Sequence, residues 1–177
     1  MKKNDSGITL LVLVITIVVL TIIASIAVYE GKELIEKSKV QTLQTNLLTI
    51  QAKAKAYAEE IEAKIWTEND ETRKANKRNE LFANEKKFSN PVSISDTNKL
   101  SQISVEVKGE NGDEYIAYEV TGNALANMGL SDIQNERYIV IYNKDNLEKI
   151  DVMYKDGTKY NKKALYTLSE IQKELSN

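Results

Sequence analysis

The chain has 177 residues, the length of one ordinary domain, and its 24 basic and 26 acidic residues leave a formal net charge of -2. No global field is present to recruit nucleic acid, so a nucleic-acid partner is not expected. Neither cysteine nor histidine occurs, which removes disulfides, thiolate nucleophiles, Cys/His zinc sites and imidazole bases. With no nucleophile or phosphate-binding motif either, the sequence predicts no enzyme, no catalytic residue, no cofactor and no metal site.

Ile8 to Val28, ITLLVLVITIVVLTIIASIAV, carries no charge and no proline. At about 1.5 Å per residue a helix of this length spans roughly 32 Å, against a hydrocarbon core of about 30 Å. Lys2 and Lys3 precede it and the mixed charges Glu30, Lys32, Glu33, Glu36 and Lys37 follow. The pattern predicts a single pass through the cell membrane, with the N-terminus cytoplasmic and the head extracytoplasmic. Thr9, Thr16, Thr21 and Ser25 are expected to return their hydroxyls to carbonyls one turn back. A secretory signal cut near Ser25 to Ala27 and an uncleaved signal anchor are both open readings of the same hydropathy.

The opening MKKNDSG followed by ITLLVLVITIVVLTIIA resembles the cleavage and methylation signal of type IV prepilins and pseudopilins. The resemblance implies a leader over residues 1–7 ending at Gly7, and removal by a prepilin peptidase. Ile8 would become an N-methylated mature N-terminus, and residues 8–29 a helix used for assembly. A glycine suits the cut because its bare backbone enters a peptidase cleft. The family usually has glutamate at the fifth mature position, where this chain has Val12; the absence of that glutamate resembles certain minor, initiating pseudopilins and some divergent Gram-positive members. The implied partners are the peptidase, other pilin or pseudopilin subunits, an inner-membrane assembly platform and the lipid bilayer. The implied role is a subunit of a type IV pilus-like or type II secretion-like filament on the cell surface. A tethered extracytoplasmic binding module that does not polymerise is the alternative.

Val40, Leu43, Leu47, Ile50, Ala54, Tyr57 and Ile61 recur at spacings of three and four, which predicts an amphipathic helix over 30–66 continuous with the apolar one. Its stripe could be a coiled-coil seam, but Ala54 and Tyr57 favour packing on the chain's own sheet. Residues 67–100 begin as a charged connection with one short helix expected around Asn79 to Lys86. The basic cluster Arg73, Lys74, Lys77 and Arg78 is interleaved with acids.

The remaining residues, 101–177, read as a β-rich head closed by a short helix. Ile103, Val105 and Val107 alternate with polar residues, and with Tyr115 to Val120 they predict a hairpin about GENGD. Gly122 to Gly129 reads as one or two helical turns, and Tyr138 to Tyr142 pairs with Ile150 to Tyr154 around NKDNLEK. Asp156 and Gly157 predict a tight turn, and Thr167 caps a helix bearing Leu168, Ile171 and Leu175 on one face. The predicted fold is α+β and pilin-like: a long helix packed on a small antiparallel sheet. Ala124 to Ile171 also resembles the C-terminal part of small Gram-positive prepilin-like proteins. Glu110, Asp113 and Glu114 could gather calcium or simply flank a turn. Tyr138, Tyr142, Tyr154, Tyr160 and Tyr166 could line a ligand surface or be strand aromatics.

Overall fold

The computed structural model describes residues 6–82, 87–88, 91–111 and 114–176; within the first helix, side chains are described for 13–25 and from 31 onward. The fold is α+β, with one long helix and a four-stranded antiparallel sheet. Two compact units divide it, Met1–Lys39 and Val40–Asn177.

Helix α1, Ser6–Ile65, contributes to both. In the second unit its stripe is buried as the spacing predicts, through Val40, Leu43, Leu47, Ile50, Ala54 and Ile61, and Ala58 and Ile65 extend it. Tyr57 lies at its margin. The stripe packs on the chain's own sheet, in one apolar cluster with Tyr118, Val120, Tyr138, Val140, Tyr142 and Val152. Each fully buried Leu or Ile in it stabilises the fold by about 1.5–3 kcal/mol. Two polar contacts fix the helix on the strands: the Tyr142 hydroxyl donates to the Ala54 carbonyl at 2.9 Å, and the Gln51 amide to the Ile150 carbonyl at 2.8 Å. Trp66, the chain's single tryptophan, follows the helix and is 84% exposed.

Helix α2, Glu71–Phe82, begins earlier than the sequence suggests, because Asp70 accepts the Arg73 amide at 2.9 Å and so caps its first turn. Part of the helix expected at Asn79 to Lys86 falls on residues 83–86, outside the described residues. Short helices α3, Thr97–Leu100, and α4, Val105–Lys108, follow. The hairpin expected from Ile103 to Val107 is therefore corrected. Ile103 and Val107, four apart, share a buried side while Val105 is 64% exposed, which is helical spacing read over too few residues to exclude alternation.

Strand β1, Tyr115–Val120, pairs instead with β2, Tyr138–Asn143, in the register Tyr118 to Val140. Between them lie α5, Asn123–Asn127, and a 3-10 turn, Ser131–Ile133. Strand β2 then pairs with β3, Ile150–Tyr160, as the sequence predicts, and β3 with β4, Lys163–Thr167. The sheet order is β1-β2-β3-β4. All six residues of β2 are buried because both faces of the sheet are covered. Tyr138, Val140 and Tyr142 enter the α1 cluster, while Ile139 and Ile141 join Ile94, Ile103, Val107, Ala117 and Met153 in a second one.

The turn expected at Asp156 and Gly157 is also corrected. Gly157, at φ 71°, lies inside β3, where the pairing with β4 shifts register between Met153 and Thr158. Chain reversal occurs at Asn161 and Lys162, φ 49° and 64°, framed by the pair Tyr160 and Lys163. Two successive positive φ angles are what a two-residue hairpin loop requires. Helix α6, Leu168–Leu175, is capped as expected, with the Thr167 hydroxyl accepting the Glu170 amide at 3.2 Å. Its Leu168 and Ile171 are buried and Leu175 is half-buried against the core.

Candidate functional site

In the first unit the described side chains from Leu13 to Ile23 are apolar apart from Thr16 and Thr21, and each large one is between 47% and 65% exposed. Successive residues of a helix are about 100° apart, so this run is apolar on every side. The hydroxyls do not interrupt it. Thr16 donates to the Leu13 carbonyl at 2.8 Å, Thr21 to Ile17 at 2.7 Å and Ser25 to Thr21 at 2.7 Å, as the sequence predicts for these three. Contiguous apolar area of this kind marks a surface that something else covers. Gly7, Ile8 and Val12 lie in the first turns of α1, and their side chains are outside the described residues.

Among the described residues no helix is long and apolar enough to cross a membrane. The localisation expected from the sequence, a single-pass anchor with an extracytoplasmic head, is corrected on that finding.

In the second unit the other candidates are dispersed. Tyr142 sits in an aromatic cluster with Phe82, Phe88 and Tyr118, at centroid distances of 4.8 Å to Phe82 and 6.3 Å to Tyr118. Burial pushes the Tyr118 hydroxyl up to about 12 and that of Tyr142 well above the ordinary tyrosine value. Tyr138 is buried and meets half-buried Tyr154 at 5.3 Å with the ring planes tilted, Tyr160 is buried, and Tyr166 lies over Gly157. These tyrosines form no common surface, and most are core.

Asp113 lies outside the described residues, and the Asn111 amide reaches the Glu114 carboxylate at 3.5 Å. No group of three or more acidic side chains that could hold a metal occurs among the described residues. In the basic cluster, Arg78 grips Glu62 at 2.8 Å and Lys74 meets Glu71 at 2.9 Å.

One polar centre has no signal in the sequence. Asp151, buried in β3, accepts from the amides of Val152 at 2.9 Å, Ser104 at 3.3 Å and Ser169 at 3.3 Å, and from the Ser169 hydroxyl at 2.7 Å. It joins the segment before α4, the sheet and the first turn of α6. Burial raises its carboxyl above the ordinary 3.8, and the bonds from Ser169, Val152 and Ser104 restrain the rise. A carboxyl raised in the folded state keeps its proton to higher pH than in the unfolded chain. Its contribution to stability is therefore fullest at low pH and declines as pH rises from about 4 through the folded value. Asp151→Asn places an amide donor among four donors and should lower stability by about 1–3 kcal/mol in urea unfolding. A loss within error would show that the clasp adds nothing.

No family model matches the sequence, and no curated protein or solved structure matches it either.

Proposed function

We propose that the chain is a structural subunit of a type IV pilus-like or pseudopilus filament, cut by a prepilin peptidase after Gly7 so that Ile8 becomes a methylated N-terminus. The observation that supports this reading is the surface of α1 from Leu13 to Ile23, apolar on every side with its hydroxyls turned back on the backbone. Sibling subunits bearing such a helix cover it by close side-chain packing, and a contact that repeats without closing builds a helical filament. A long helix packed on a small antiparallel sheet is the head such a subunit needs, and supports a pilin-like architecture. Val12 leaves the fifth mature position without a carboxylate for a neighbour's Ile8 amine. That favours a minor subunit that starts the filament, where no such counter-charge is required.

The experiment is co-expression with a prepilin peptidase, with intact mass read for wild type and Gly7→Leu. Wild type should lose residues 1–7 and gain a methyl group on Ile8, while the variant keeps its full length. An uncut wild type refutes the reading, and equal shortening of both refutes the role of Gly7. Immunogold labelling beside a major pilin then tests filament membership, with label expected at the tip.

A further inference from the structure

Beyond this role, the sheet face opposite the α1 stripe carries a cavity of about 370 Å³, between the segment leading into α3 and the strands β1 to β3. The volume is within the range of small-molecule sites, roughly 300–1,000 Å³. Val92, Ile94, Ile139 and Met153 give it an apolar floor, with Ile94, Ile139 and Met153 themselves buried. Lys99, Arg137 and Lys155 stand around it with Asp96 and Glu119, three cations to two carboxylates.

The carboxylates are committed. Asp96 caps α3 by accepting the Asn98 amide at 3.0 Å, and Glu119 takes Arg137 at 2.5 Å and Lys155 at 3.5 Å on one oxygen. The cations retain donors. A guanidinium has five N–H groups and an ammonium three. Arg137 presents two of its nitrogens to Glu119, and the Lys99 ammonium is held in place by the Lys155 carbonyl at 2.9 Å. Glu119 also lies deeper than its partners, its side chain 16% exposed against 49% for Arg137 and 37% for Lys155, while Asp96 is exposed at the rim. An arriving molecule meets Arg137 and Lys155 before Glu119, with the apolar floor beneath them.

We infer that this cavity binds a small organic carboxylate with an apolar body, the chemistry shared by a peptide's C-terminal residue and a short-chain fatty acid. The carboxylate takes the outward N–H groups of Arg137 with Lys155 and Lys99, and the apolar body lies on Ile139 and Met153. Glu119 orients the cations and competes with the ligand for them.

The test uses the full chain in a non-ionic detergent with its methionine methyls labelled with carbon-13. Met153 reports the cavity floor, and Met128, in the cluster on the other sheet face, is the control. N-acetyl-leucine or hexanoate should shift Met153 saturably and leave Met128 in place, the tighter of the two naming the source. Arg137→Gln should weaken binding about tenfold, the size of a lost charge-assisted hydrogen bond. Glu119→Gln should tighten it severalfold by releasing Arg137, which a merely structural role for Glu119 would not do. A Met153 methyl unmoved by both carboxylates overturns the inference. An equal response to N-acetyl-leucinamide, or weaker binding by Glu119→Gln, does the same.

Discussion

Phe82→Ala should lower the stability of the chain by about 3–5 kcal/mol, a large share of the 5–15 kcal/mol typical of a domain. Phe82 is fully buried, stacks at 5.0 Å on Tyr118 and 5.9 Å on Phe88, and meets Tyr142 at 4.8 Å with the ring planes tilted by 45°. Its ring lies where α2, the sheet and Phe88 meet, so truncation leaves a hole that rigid aromatic neighbours cannot close. Urea unfolding followed by far-ultraviolet circular dichroism measures the loss, and Phe82→Leu should recover part of it. A cost below about 1 kcal/mol would mean that the ring is not packed as described.

Gly157→Ala should cost about 2–5 kcal/mol, because two independent penalties coincide. The backbone at φ 71° disfavours any side chain, and a Cβ there would stand 2.5 Å from Cε1 and 2.8 Å from Cδ1 of the Tyr166 ring. The Lys99 ammonium stands 5.1 Å from the centroid of that ring, a contact given up if the ring swings aside. The two penalties separate in a Tyr166→Ala background, where the clash is gone and only the backbone strain of about 1–2 kcal/mol remains. Equal costs in both backgrounds would show that the ring does not press on residue 157.

These two positions also show where the sequence speaks and where it is silent. The stripe from Val40 to Ile61 is legible because seven apolar residues keep helical spacing across six turns, and no strand explains that. Strands β2 and β3 are legible because each is a dense apolar run around a polar loop. Phe82 is different: it ends a helix of mostly polar and charged residues, and its burial is decided by Tyr118 and Tyr142, far away in the chain. Gly157 follows Asp156, a pair that signals a turn, but a positive φ serves an irregular strand equally well. The reversal falls instead on Asn161 and Lys162, where asparagine tolerates the left-handed region. Of the candidate site, the fold-back of Thr16, Thr21 and Ser25 is readable because it depends on residues one turn apart. The Asp151 clasp and the cavity beside Arg137 are not, since their parts come from segments separated by dozens of residues.

Trp66 gives the chain an unusual optical character. The chain's one indole stands in solvent in the folded state, so its emission is already that of a hydrated ring and carries little information about whether the core behind it is intact. The tyrosines buried around α1 supply the near-ultraviolet signature of folding instead. Indole emission is left to respond to a different event, the approach of another surface that strips water from the end of α1. Folding of the chain and any covering of the end of α1 by another surface are thus read by different chromophores and can be followed separately in the same cuvette.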